Sequence, residues 1–396
     1  MYRGIVKIVP LSMVDDLLAI STSGTPAVIL NSYINAKIEM KKLRFHTTDK
    51  HGKSKCHIMH IGNHKCDKLK LKVHNHEMKE VDAQLYLGDI IMKCGRNTLN
   101  VKSRVAKSVG IINEIVALLK HIKNGHYYFK TAVVLRESVL VNGVMTSSES
   151  WHNLTRADMN ELTRIDRLFG QALFSTPFST PAPSYFTEIG MLPLSSILKG
   201  RRLNFLKYLV SQDPSSMLFK VFWVQWTDSQ AGDLAQLMKQ DLKDLGINCT
   251  VCEIQSMSKN KFKKLIKQKL VRYTFEQLVE QSRTYSKMKN ITYDNFRMQS
   301  YLSDPNISVK QAKLIFKFRT RMLMEFSDNF RGSTEKRLCK LCDYKHTDSQ
   351  EMIIHCTKVH AKFGDPGKLN KIYGTRIDKS EAILLENIVD FKSQFL

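Results

Sequence analysis

The sequence predicts an α+β chain, mostly α, with a small mixed piece first and a long helical body behind it. Three observations carry this. The apolar pattern is short and strand-like over roughly the first hundred positions, then takes a helical period from about Asn100. The 396 residues are 43% hydrophobic, enough to bury sizeable cores in two or three domains. No apolar run reaches the roughly 18 residues that a membrane span needs, and the opening MYRGIVKIVP is too short and broken for a signal peptide.

Residues 5–20 read apolar, then Asp15-Asp16, then apolar again, which predicts two short strands around an acidic turn. Thr25-Pro26 supplies an N-cap and first-turn signal for a helix to about Leu43. Residues 45–76 read as strands and loops rich in His and Lys. Tyr86 to Ile91 reads as a short strand ending in turn chemistry. From Asn100, Val101, Val105, Val109, Ile112, Val116 and Leu119 share one helical face. Further helices are predicted near 127–145 and near 155–173, the latter with Leu162, Ile165 and Phe169 inward. Pro177 to Pro183 holds three of the nine prolines and marks a loop. Helix returns over 190–225, and a change to polar composition over 226–255 suggests a boundary.

Charge sets the class of partner. Against 37 Asp and Glu stand 61 Lys and Arg, a formal net charge of +24. The excess is clustered. Residues 259–272 carry seven basic residues and no acid, yet Phe262, Leu265, Ile266 and Leu270 keep an apolar helical face. The opposite face holds Lys261, Lys263, Lys264, Lys267, Lys269 and Arg272. Residues 308–326 repeat the pattern, with Ile315, Phe318 and Met322 inward and Lys310, Lys313, Lys317, Arg319 and Arg321 around them. A charge run is ordinarily a solvated face. Two such helices on an already basic chain favour phosphate contact, so RNA or DNA is the expected partner, with no membrane and no small-molecule substrate beyond a possible dNTP.

Eight cysteines in 396 residues make no secreted disulfide framework. Four lie in two Cys-x-x-Cys pairs, which reads as reduced thiols in an intracellular, cytoplasmic or nuclear protein. Cys339-x2-Cys342 is followed by His346, His355, Cys356 and His360, a density of soft ligands that suits tetrahedral Zn²⁺. Two ligand sets stay open. A two-cysteine two-histidine finger uses Cys339, Cys342, His355 and His360. A knuckle uses Cys339, Cys342 and Cys356, with Met352 standing where a histidine is usual. Cys249-x2-Cys252 has no close partner and reads as two thiols on a short strand. Seven of the 13 histidines lie between His46 and His76 beside Cys56 and Cys66, and read as a basic hairpin near nucleic acid rather than a second metal site. No G-x-x-x-x-G-K-[ST] phosphate loop and no readable serine or cysteine nucleophile is present.

The order of these motifs resembles the reverse transcriptases of retrotransposons without long terminal repeats, the LINE-like elements. Met13-Val14-Asp15-Asp16 sits where that family has its catalytic hairpin, and the helix of 26–43 follows. Lys55 in SKCHIMHIG falls where the next palm motif carries a lysine near the incoming nucleotide. Tyr86-Leu87-Gly88 looks like the primer-grip turn, and the helices from Asn100, with LRESVLVNGVMTSSESW, look like the thumb. The resemblance implies a partial palm over 1–98, a thumb and connection region over 99–225, basic helices over 226–335, a zinc loop over 336–362 and a tail over 363–396. It implies Asp15 and Asp16 as Mg²⁺ ligands for phosphoryl transfer. The family's other metal-binding aspartate lies upstream of this hairpin. Only 14 residues precede Asp15 and none is an aspartate. The reading is therefore an N-terminally truncated RNA-directed DNA polymerase remnant, inactive alone and using Mg²⁺ only if a complete palm is supplied. Two alternatives stand beside it: a non-enzymatic zinc-containing nucleic-acid-binding protein, and a decayed reading frame without function.

Overall fold

The chain divides close to where the apolar period changes. Met1–Asn100 form one unit and Val101–Leu396 another. The structure is a computed structural model that describes residues 10–13, 16–20, 24–41, 47–48, 50–52, 54–61, 70–73, 76–323, 338–342, 348–350 and 352–394.

In the first unit β1 (Pro10–Met13) pairs antiparallel with β2 (Asp16–Ala19), Met13 standing opposite Asp16. The helix α1 (Gly24–Met40) follows and buries Leu30 and Ile38. Four two-residue strands come next: β3 (His57–Ile58), β4 (Lys72–Val73), β5 (His76–Glu77) and β6 (Lys79–Glu80). The pair β3 and β6 is parallel, and β4 and β5 antiparallel. A hairpin of β7 (Ala83–Tyr86) and β8 (Asp89–Met92) closes the unit. Its two-residue turn, Leu87-Gly88, has φ of +48° and +85°. Both central residues at positive φ match the right-handed strand twist, which is why a glycine stands there. Asn100 holds β8 by accepting from the Ile90 N–H at 2.6 Å and donating to the Ile90 carbonyl at 2.9 Å.

The second unit is helical. Along α2 (Thr98–Leu119) the buried positions from Val101 on are Val101, Val105, Ser108, Ile112, Ile115 and Leu119, alternate steps of four and three. Val109, expected inward, is 42% exposed because the stripe steps through Ser108 instead. The helix near 127–145 is one rod: α3 (Gly125–Leu135), a π turn (Arg136–Val141) and α4 (Asn142–Met145). The π turn carries Arg136 inward, where it donates to Asp166 at 2.6 Å and to the Leu192 carbonyl at 2.9 Å. Then come α5 (Arg156–Phe174), α6 (Ala182–Ile189), α7 (Leu194–Val210) and α8 (Met217–Thr227). Leu162, Ile165 and Phe169 of α5 are buried as expected.

The helices α9 (Leu234–Asp244), α10 (Val251–Ser256) and α11 (Lys259–Arg283) continue without a break at the change in composition near 226. One apolar cluster joins Leu203 and Leu206 of α7, Phe222 of α8, Met238 and Leu242 of α9, Ile254 of α10 and Phe262 of α11. Cys252 lies in α10, not on a strand, because Thr250 and Glu253 form a capping box that starts a helix there. Last come α12 (Ser300–Ser303), α13 (Val309–Arg319), α14 (Thr357–Phe363) and α15 (Lys379–Ser393). The expected tail is in fact part of the core: α15 buries Ala382, Leu385 and Ile388. The centre of the larger cluster is aromatic, with the Phe174 and Phe316 rings stacked at 3.7 Å between centroids and Tyr185 beside Phe316 at 5.6 Å. No helix among the described residues is long and apolar enough to cross a membrane.

Candidate nucleic-acid interface and metal centre

The two lysine-rich helices, alike in sequence, are placed differently. Ser258 caps α11 by accepting from the Lys261 N–H. Phe262, Ile266, Leu270, Thr274, Leu278 and Ser282 recur every fourth residue as its buried face. Gly200 of α7 lets the two helices approach, since a Cβ there would meet the Leu270 side chain at 3.1 Å. Lys259, Lys261, Lys263, Lys264 and Lys267 are exposed and Lys269 is half-buried. Among the described residues, none of these six meets an acidic partner, whereas Arg272 is neutralised by Glu276 at 2.8 Å and Arg283 by Glu280 at 3.2 Å.

That arrangement costs stability. Lys259 and Lys261 lie in the first turn of the helix, where the macrodipole is positive and each nearby cation costs about 0.3–1 kcal/mol. Lys259, Lys263 and Lys267 also stack at i,i+4, and each like-charge pair costs about 0.2–0.5 kcal/mol more. Fold stability gives no reason for this pattern.

α13, by contrast, is an internal helix. Its Ser308–Gln311 capping box starts it, and Ala312, Ile315, Phe316 and Phe318 are buried. Lys310 pairs with Glu386 at 2.9 Å and Asp390 at 3.5 Å, both on α15. The Lys313 ammonium lies 5.0 Å from the centroid of the Tyr128 ring and donates to Ser175 at 3.1 Å. Lys317 is half-buried, as is Arg321, which sits at φ +54°. Arg319, expected on a phosphate-facing surface, has no exposed surface at all and pairs with the equally buried Glu188 at 2.8 Å. Its guanidinium also donates to the carbonyls of Ile372 and Gly374. Arg319 lies on the buried stripe itself, seven residues after Ala312 with Ile315 and Phe316 between, because α13 is packed on more than one side.

The C-terminal thiols do converge. Cys339 precedes a 3₁₀ turn (Lys340–Cys342), and Cys356 is the N-cap residue of α14. The Sγ atoms of Cys339, Cys342 and Cys356 all lie within 4.8 Å of one another, each residue 3% exposed or less. Tetrahedral Zn–S bonds of about 2.3 Å put sulfurs about 3.8 Å apart, so this group could hold a metal ion. Burial pushes the Cys339 thiol up to about 11, with the neighbouring Cys356 adding to the rise and the Lys392 charge opposing it. Of the two expected ligand sets, the structure assembles the one containing Cys356. His355 and His360 are exposed and outside the group, and the His360 ring is hydrogen-bonded to the Ile354 carbonyl. In the 3₁₀ turn Met352–His355 residues three apart share a side, so Ile353 and Cys356 are buried together and His355 turns outward. His346 lies outside the described residues.

Asp348 lines the same small cavity as the three thiols and is ion-paired with Lys392 of α15. Sequence reasoning missed both. Lys392 lies 36 positions beyond Cys356 and only the fold of α15 brings it there.

In the first unit, Asp16 opens β2 and Asp15 lies outside the described residues. Lys55 is exposed, Tyr86 ends β7, and Leu87-Gly88 makes the hairpin turn. In the histidine-rich stretch His60 pairs with Glu80 at 3.0 Å and His76 with Ser54 at 2.9 Å. No metal-ligand group forms there among the described residues. The chain matches no known family of proteins, no curated protein and no solved structure.

Proposed function

We propose that this chain binds RNA or DNA through the N-terminal half of α11 and holds a zinc ion on Cys339, Cys342 and Cys356. The observation that carries the first part is the set of six lysines, unpaired among the described residues, on a helix they destabilise. Each phosphate they neutralise releases a condensed counterion, so the contact is strong, salt-sensitive and indifferent to sequence. The zinc reading rests on three buried thiols at ligand spacing; closing them on one ion ties the 339–342 turn to the start of α14.

We further propose descent from a LINE-like reverse transcriptase. What supports it is the order of elements: an antiparallel hairpin with Asp16 at its inner edge, a helix, a lysine before a strand, the Leu87-Gly88 hairpin, then the helical body. In such an enzyme Asp15 and Asp16 hold Mg²⁺, the helices of 100–225 track the template–primer duplex, and α11 holds RNA or target DNA. The zinc-containing binding protein without catalysis is the second reading; it needs only α11 and the thiols.

The experiment measures binding of labelled single-stranded RNA, DNA duplex and RNA–DNA hybrid, together with dNTP incorporation. K264E/K267E should weaken binding to all three by tenfold or more; unchanged binding would refute the assignment of α11. Incorporation that Asp16→Asn abolishes would assign polymerase activity, and binding without incorporation would leave the non-enzymatic reading.

A further inference from the structure

Lysine is rarely buried, and Lys392 is 3% exposed. Its ammonium donates to Asp348 Oδ1, and the Asp348 side chain is itself only 14% exposed. A buried ion pair is weak evidence for stability, because desolvation cancels much of the attraction. Its position offers a better reason. Asp348 shares its cavity with Cys339, Cys342 and Cys356, and the cavity has no room for a water molecule.

We propose that the Lys392–Asp348 pair is the charged support of the three-cysteine metal site, with Asp348 aiming the Lys392 ammonium at the thiolate cluster. This rests on the metal reading above and extends it to α15. Three thiolates and Asp348 bring four negative charges to the site, against two on a divalent ion. Lys392 brings a third positive charge where solvent is too distant to screen the rest. Carboxylates and cations next to a metal's ligands commonly set its affinity and orient the ligands, although they touch the ion nowhere themselves. Lys392 and Asp348 are thus positioning residues. They make the C-terminal helix part of the metal module, consistent with α15 packing against both α13 and α14.

The test uses the full chain and zinc, titrated in competition with a chromophoric chelator. K392Q, which removes the charge and keeps some reach, should weaken zinc binding about 10- to 100-fold. K392R, which keeps the charge, should stay near wild type. The double variant D348L/K392M removes the pair without leaving a lone buried charge. It should keep the metal-free melting temperature and still show the weakened binding. Cobalt(II) loading should give wild-type d–d bands in every variant, since the ligands are unchanged. Wild-type zinc affinity in K392Q and in the double variant would overturn the inference and leave the metal site standing. A cobalt spectrum altered by Asp348→Asn would overturn it by making Asp348 a ligand. No zinc or cobalt uptake by the wild type would end the metal reading, and this inference with it.

Discussion

Arg319→Met separates the two lysine-rich helices by a measurement of stability. Arg319 and Glu188 have no exposed surface, and the Nε donates to Glu188 Oε1 at 2.8 Å. The hydroxyls of Tyr293 and Tyr301 donate to the two oxygens of the same carboxylate, each at 2.9 Å. Burial and the adjacent carboxylate hold both tyrosines well above the usual tyrosine range, so they remain donors. Removing the guanidinium leaves a buried carboxylate without its countercharge and two carbonyls without a donor, a loss of about 3–5 kcal/mol. The unit from Val101 to Leu396 has 296 residues. At about 2.1 cal/mol/K per residue its unfolding entropy is about 0.6 kcal/mol/K, so the melting temperature should fall by about 5–8 °C. Calorimetry or circular dichroism reads this directly. Nucleic-acid affinity per folded molecule should not change. An unchanged melting temperature with weakened binding would refute the reasoning and return Arg319 to the surface.

Other outcomes follow from named contacts. Cys342→Ser and Cys356→Ser should each abolish stoichiometric zinc uptake, whereas His355→Ala and His360→Ala should leave it intact, as measured by metal analysis after dialysis. Zinc uptake should release protons at neutral pH, because burial holds the Cys339 thiol protonated with a pKa of about 11; calorimetry in buffers of different ionisation enthalpy counts them. Gly190→Ala should destabilise the helical unit by at least about 1–3 kcal/mol in denaturant melts, since Gly190 sits at φ +73° and a Cβ there would fall 2.4 Å from the Arg297 Cα. The Lys310 hydrogen bond holds Glu386 below the usual glutamate range. Its small stabilising effect is therefore present above the ordinary glutamate pKa of about 4.3 and lost as pH falls through the lower folded value, and Lys310→Met should reduce that pH dependence to the part that the Gln311 hydrogen bond supplies.

How much of this was legible in the sequence depended on range. Local signals transferred well. The helix begun at Thr25-Pro26 appears as Gly24–Met40, the helix near 155–173 as Arg156–Phe174, and the two short strands on either side of Asp15 as β1 and β2. Cys339 and Cys342 were legible because two ligands three residues apart are a local pattern. The choice between Cys356 and the histidines was not, since all three fall within six residues and burial separates them. Lys392 and Asp348 left no local trace. The failure at α13 is the most instructive. Its sequence pattern resembles that of α11, and only the placement of Glu188, Glu386 and Tyr128 against it decides that its cations are taken up within the fold. The strand read at Cys249–Cys252 went wrong for the opposite reason: a Thr250-x-x-Glu253 capping box was present in the sequence and outweighs two thiols.

The most direct test of the account is the salt dependence of duplex binding. Six phosphate contacts by α11 give a slope of log K against log salt of about −5.4. The quadruple variant K261Q/K263Q/K264Q/K267Q should flatten that slope by about 3.6, while K310Q/K313Q leaves it unchanged. A slope that α11 neutralisation does not alter, or one that follows the α13 lysines instead, would contradict the account.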